Sequence, residues 1–226
     1  MTTQHLPGLN SSPPKTSRLK PVAGLEFLPG PHRYRYKDPV TQRLRYATAS
    51  ITAVCNTKTK EQMDKIMETK HIWEPRGNTV HHCMELFSIG KTCDPGEYRE
   101  WVEPLVNHDI WKRWTPIANE LRMVDYRYGI AGSCDVIIQH NTTGEQVLAD
   151  FKTQSRKDST AYDIKPQLGG YLSLIDQCYG TDLNISRCFG IWSRPGDVEI
   201  TVYDSEDCIT AYLAARDLYL RNRPDW

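Results

Sequence analysis

The chain predicts an α/β fold, a central mixed β-sheet flanked by helices and preceded by an N-terminal β-hairpin. Three observations lead there. Two pairs of arms rich in Val, Ile, Leu and Phe, at 130–153 and 185–203, are joined by turn residues and read as hairpins. Segments between and after them carry apolar residues at spacings of three and four, the period of a half-buried helix. Finally, 226 residues with 39% hydrophobic and 25% charged content suit one domain with a sizeable core.

Residues 1 to about 20 hold Pro, Ser, Thr and Asn with few large apolar groups, and are expected to form a flexible basic tail ahead of a single domain over 21–226. Arg33 to Thr52 reads as a hairpin, with Arg-Tyr-Arg-Tyr before a turn at Lys37-Asp38-Pro39 and Arg-Leu-Arg-Tyr-Ala-Thr after it. Lys58–Lys70 is a charged helix. Asn78 to about Ile89 is a second helix, with Val80, Met84 and Phe87 as its apolar stripe. Asp109–Trp114 is expected as a third, broken before Pro116, and a strand from Glu120 to Tyr128 feeds the first hairpin. Gln154–Asp163 reads as a mobile polar loop. Pro166 suits the first turn of a helix running to about Tyr179. The second hairpin, Ile185–Ser193 and Val198–Tyr203, turns at Arg194-Pro195-Gly196-Asp197. Ser205 is expected to cap a final helix through about Arg221, with Glu206 and Asp207 at its positive end. No internal repeat is visible.

Seven scattered cysteines, none in a C-x-x-C pair, read as reduced thiols and lack the clustering that zinc or iron–sulfur ligation needs. No apolar run approaches the length of a membrane span and the N-terminus lacks a signal-like stretch, so a cytoplasmic location is the default expectation. The net charge is zero but unevenly spread. Residues 1–47 hold eight basic and two acidic groups, a balance of +6, and the remainder carries −6. Tyr34, Tyr36 and Tyr46 are interleaved with that basic segment, a pattern able to grip phosphates and stack on bases.

The first hairpin carries the most chemistry. A loop centred between Thr142 and Thr143 pairs residues whose numbers sum to 285, which sets Asp135 opposite Asp150. Directly opposed residues share a face, and Lys152 shares that of Asp150. Two carboxylates facing each other repel by up to about 1 kcal/mol. A divalent cation between them removes the conflict, and Mg²⁺ is usually held by one or two carboxylates. The plainer alternative is a surface ribbon whose charges face water. On the second helix His81 and Glu85 are four apart, as are Gln167 and Tyr171 on the helix after the hairpin, so each pair projects from one face. Singly, each pair is equally at home on an ordinary half-buried surface.

Taken in order, Gly77-x-x-x-His81-x-x-x-Glu85, Gly132-Ser133-Cys134-Asp135, Asp150-Phe151-Lys152 and Gln167-x-x-x-Tyr171 resemble the motifs of the PD-(D/E)XK nuclease superfamily. The nearest likeness is to its RecB-like exonuclease branch, which includes phage exonucleases and the mitochondrial genome maintenance exonuclease. His32-x-Tyr34 and Ser50-Ile51-Thr52 are similar to the early segment of those members. The resemblance spans roughly residues 32 to 203. Cys134 stands in place of the proline that names the superfamily, and the four-cysteine iron–sulfur pattern of some relatives is absent.

This resemblance implies a restriction-endonuclease-like core and a metal-dependent DNA exonuclease. Asp135, Asp150 and the Phe151 carbonyl would hold Mg²⁺ or Mn²⁺, His81 would complete one side, and Glu85 would hold a second metal or orient a ligand. Lys152 would act beside the attacked phosphate, and Glu120 has either a supporting role or that of a strand-end charge. Gln167 and Tyr171 would position the strand. By its charge, the basic segment over residues 15–45, with Arg33 and Arg35 as substrate contacts, is expected to wall a passage to the site together with loop 154–163. A structure-specific or restriction-type endonuclease is the rival reading, and a non-catalytic DNA-binding module a further one. Polarity of cleavage, strand preference, DNA versus RNA, and oligomeric state stay open, and a bacterial or phage-infected cell is the expected setting.

Overall fold

The apolar runs assemble into one twisted sheet with helices on both faces. A computed structural model describes residues 19–180 and 183–222. Its six-stranded sheet comprises β4 (Ala49–Ser50), β5 (Trp114–Asp125), β6 (Ile130–His140), β7 (Gln146–Thr153), β8 (Ile185–Arg194) and β9 (Asp197–Asp204). The order is β4-β6-β7-β8-β9, with β5 also on β6. β7 and β8 are parallel, as are β4 and β6, and the other pairs antiparallel, so the sheet is mixed. The parallel β7–β8 step requires a crossover, supplied by α5 (Lys165–Tyr179).

On one face α5, α6 (Ser205–Arg221) and the single turn α1 (Ile51–Val54) bury Ile51, Leu168, Leu174 and Tyr212 against Ile137, Leu148, Cys188 and Trp192. On the other, α3 (Lys70–Ser88) and α4 (Arg99–Val106) bury Val80, Met84 and Leu105 against Val136, Ile138, Val147 and Phe151. Residues 147, 149 and 151 thus face α3, while 148, 150 and 152 face α5, as a two-residue period requires. α2 (Lys60–Glu68) is capped by a reciprocal Thr59–Gln62 capping box and contributes no buried residue.

The N-terminal hairpin forms, as β2 (Arg33–Lys37) against β3 (Leu44–Tyr46), and is widened by β1 (Glu26–Leu28) into a three-stranded antiparallel sheet. Its second arm stops at Tyr46; Ala49 and Ser50 leave the hairpin for the main sheet as β4, where Ser50 also accepts from the Ala53 amide and caps α1. The tail expected over residues 1–20 lies outside the described residues as far as residue 18. Leu19 packs on the core and the Lys20 carbonyl accepts from the Tyr179 hydroxyl at 2.6 Å.

Several expectations are corrected. The helix expected from Asn78 already begins at Lys70 as α3, and the one expected over Asp109–Trp114 is only a 3₁₀ turn at Asp109–Lys112, the helix before it being α4. The strand after it starts at Trp114 and runs through Pro116, which an edge strand tolerates at the register shift between Pro116 and Ala118. The cap of α6 is Asp204, which accepts from the amides of Glu206 and Asp207, and Ser205 is already helical. Cys83 and Cys93, expected as reduced thiols, instead form a disulfide with Cα atoms 5.1 Å apart, and the other five cysteines are free as expected. Gly90, at φ +75°, lets Lys91 donate to Leu86 and Gly90 to Phe87, a reversal that brings Cys93 back to α3. Among the described residues no helix is long and apolar enough to cross a membrane.

Candidate metal centre

The 285 register holds from Val136↔Ala149 to Gln139↔Gln146 and stops one pair short of Asp135 and Asp150. It stops because the Asp135 side chain intercepts the ladder, its Oδ2 accepting the Phe151 amide at 2.7 Å. β5 covers one edge of β6 along its whole length, so β4 and β7 share the other. They pair with Ile130–Ala131 and Val136–Gln139, leaving Gly132–Asp135 without a strand on that side. The candidate site occupies this gap. Gly132 is required beside it, since a Cβ there would stand 2.9 Å from Ile51 Cγ1 and 3.0 Å from Tyr171 Cε1.

Simple alternation would turn Asp135 toward α5 with Asp150. Instead the phase slips. Cys134 and Leu121 pack on the α5 side, whereas Val136, two residues on, packs on the α3 side. The facing residue Glu120 has φ +46°, a left-handed conformation that costs an L-residue roughly 1–2 kcal/mol. This kink swings both acidic groups toward α3. His81, Glu120 and Asp135 each place one ligand-type atom within 4.8 Å of the others. His81 Nδ1 is 3.4 Å from Asp135 Oδ1, and Glu120 also accepts from the Ser133 hydroxyl at 3.0 Å. Glu120, left undecided by sequence, belongs to this cluster.

Asp150 stays on the α5 side, its side chain 1% exposed. Gln167 donates to its Oδ1 at 3.2 Å and to the Tyr171 hydroxyl at 2.9 Å. Lys152 Nζ lies 2.5 Å from Asp150 Oδ2, yet that oxygen has no well-directed hydrogen bond. The two halves of the site interact through charge. Burial and the nearby Asp135 outweigh Lys152 and push Asp150 up to about 6. Burial acts against ionised Asp135, but His81 and Lys152 prevail and hold it low. His81 rises to about 9 because the Asp135 carboxylate outweighs the effect of burial. Burial opposes the Lys152 charge too, and the two aspartates overcome it. Glu120 is raised by burial first and by Asp135 second.

Of the remaining expected residues, Glu85 lines a cavity with His81, Glu120, Asp135 and Phe151 and sits 3.8 Å from His82 Nδ1. Its charge is felt by Glu120. From the N-terminal sheet it is Tyr34 that reaches the site. Its hydroxyl touches the Ser133 backbone, and burial, with the charge of Glu120, raises it to about 12. Arg33 and Arg35 alternate to the opposite face of β2, where Arg33 lies over the Tyr46 ring and Arg35 pairs with Glu26 at 2.6 Å. The loop after Thr153 is not free-hanging. Gln154 donates its amide to Ser193, its side chain to the Thr160 carbonyl, and accepts from Arg194.

The donor set suits a hard divalent cation. Carboxylate oxygens and one imidazole are ligands for Mg²⁺ or Mn²⁺, and imidazole shifts the balance toward Mn²⁺. Asp150 Oδ2, buried against the Lys152 ammonium but without a well-directed hydrogen bond, keeps a lone pair open to a cation.

No family model and no curated protein matches this chain. Among solved structures, the crystal structure of SSO0001 is similar at 17% identity over 83% of each chain, with a TM-score of 0.39.

Proposed function

We propose that the chain is a metal-dependent nuclease that hydrolyses DNA phosphodiester bonds, working as an exonuclease on single strands or strand ends. The observation that carries this reading is the convergence of His81, Glu120 and Asp135 at a kinked strand pair, with the Asp150–Lys152 ion pair alongside. The order of the sequence motifs agrees with it. His81, Asp135, Glu120 and Asp150 would hold Mg²⁺ or Mn²⁺, with the Phe151 carbonyl as a further oxygen. When bound, such an ion lowers the pKa of water and neutralises phosphate oxygens.

The side chains then have distinct tasks. Phe151 N–H fixes the Asp135 rotamer, and Gln167 fixes that of Asp150, itself held against Tyr171. Lys152 is a charged donor in a water-poor site, where it stabilises negative charge growing on the attacked phosphate. Tyr171, buried beside Gln167, keeps the α5 wall of the site closed.

Two measurements test the reading. Saturating Mn²⁺ should raise the melting temperature by roughly 5–10 °C, the range expected when ligand stands near a hundred times its dissociation constant. End-labelled single-stranded and duplex oligonucleotides with Mn²⁺ should give product ladders, while a single-stranded circle stays intact. No melting shift and no product from either substrate would overturn the proposal, and a cut circle would favour the endonuclease reading.

Glu120→Gln separates its role from that of a strand-end charge. The variant keeps the Ser133 contact but loses a carboxylate, so Mn²⁺ affinity by titration calorimetry should fall on the order of tenfold or more. The metal-free protein should be no less stable, since Glu120 and Asp135 repel each other. Unchanged Mn²⁺ affinity would return Glu120 to a supporting position.

A further inference from the structure

Tyr162 is an aromatic side chain that the core does not use. It is 54% exposed, in the loop that follows the Asp150-Phe151-Lys152 strand. Yet it is not placed at random. Its ring meets Trp192 edge to face, with centroids 4.9 Å apart and an interplanar angle of 76°. Trp192 is fully buried, donates its indole N–H to Thr201 at 3.0 Å, and is the register partner of Lys152 on β8. Residues paired across strands share a face, so Trp192 backs Tyr162 at the side of Lys152. The Tyr162 phenol also feels the charges of Lys152 and Asp150.

The loop that carries it is tied down on both sides. Gln154 grips the Thr160 carbonyl two residues before, and Asp163 just after accepts from the Lys165 amide at the start of α5. A half-exposed aromatic ring, held on one side by Trp192 and set beside the lysine proposed to meet the phosphate, is already organised to receive a flat ligand. In a paired duplex each interior base has both faces covered by its neighbours. Only an unpaired or terminal base can offer a face to such a ring, and base–aromatic stacking is tolerant of sequence.

We propose that Tyr162 is the stacking platform for the nucleobase beside the scissile phosphate, so that the site takes an unpaired strand. This rests on the nuclease reading and names the residue that selects an unpaired strand or a frayed end within it.

The test measures binding of the full chain to single-stranded oligonucleotides, with Ca²⁺ replacing Mn²⁺, for wild type, Tyr162→Phe and Tyr162→Ala. The alanine variant should bind about five- to fiftyfold more weakly and the phenylalanine variant within about twofold of wild type. An abasic residue moved along the strand should weaken wild type and Tyr162→Phe at one position and leave Tyr162→Ala unaffected there. Equal affinity of wild type and Tyr162→Ala overturns the inference. So does a phenylalanine variant as weak as alanine, which assigns the contact to the hydroxyl. Wild type that shows the Mn²⁺ melting shift and cleaves duplex ends, with no effect of Tyr162→Ala, sinks this inference alone. Wild type that neither binds nor cleaves any strand sinks the nuclease reading with it. Should the alanine variant fail to fold, the abasic scan on wild type and Tyr162→Phe decides, because a strand with no position-specific loss has no stacking platform.

Discussion

Replacing Lys152 with methionine should lower strand cleavage by about a hundred- to a thousandfold, the usual loss when one preorganised donor to a developing negative charge is removed. Methionine preserves the length of the stem and leaves the fold intact. The effect on Asp150 distinguishes this from simple damage. Asp150 is already lifted to about 6 by burial and by Asp135, against the pull of Lys152. Without that ammonium group its proton is held more tightly still. A carboxyl whose folded pKa lies above its unfolded value binds protons preferentially in the folded state. Stability therefore falls as pH rises between the two values and is flat above the folded one. In wild type that fall is complete near pH 6, whereas in the variant it continues upward. Melting curves at pH 6 and pH 8 should show the variant losing stability relative to wild type across that interval. Turnover at the wild-type rate would remove Lys152 from the chemistry, and parallel melting curves would contradict its coupling to Asp150.

Most of the sheet was legible because its signals are local. Turn residues at 141–144 and 194–197 fix two hairpins, and a two-residue period assigns faces over Val147–Lys152. The 285 register followed from the loop alone, and it is observed as far as Val136. What sequence does not disclose is where a strand departs from its own period. The slip at Glu120 and Asp135 is encoded in no turn residue, since Glu is not among the residues enriched at positive φ. Alternation thus placed Asp135 with Asp150, whereas the kink turns it to His81 and draws in Glu120. Arg33 and Arg35 suit a phosphate by charge alone, but the same period that places Tyr34 at the site carries both to the other face. The disulfide was hidden for a similar reason. Ten residues separate Cys83 and Cys93, and their meeting depends on the reversal at Gly90.

Glycine substitutions in α3 and α5 should have opposite signs, with the largest loss at Gly169. In an open helix, glycine to alanine gains about 1 kcal/mol from propensity. Gly77 on α3 is such a place, as a Cβ there meets nothing within 4 Å, and Gly77→Ala should stabilise by about that amount. At Gly169 on α5 the added atom would lie 1.9 Å from the Cys208 carbonyl oxygen and 2.3 Å from its carbon. Both belong to the α6 backbone, which no rotamer change can move aside. Overpacking of this kind costs about 3 kcal/mol or more, well beyond the propensity gain, and at this chain length lowers the melting temperature by roughly 6–12 °C. Gly170 is the internal comparison. Its Cβ would meet Ile51 Cγ2 at 2.7 Å, a side chain that can shift, so its loss should be the smaller. The consequence extends to the site, because a helix pushed off α6 carries Gln167 and Tyr171 with it and loosens the grip on Asp150. Gly169→Ala at a temperature where it remains folded should therefore bind Mn²⁺ less tightly than Gly170→Ala. If the two variants melt together, the close approach of α5 to the α6 backbone does not govern the stability of this wall.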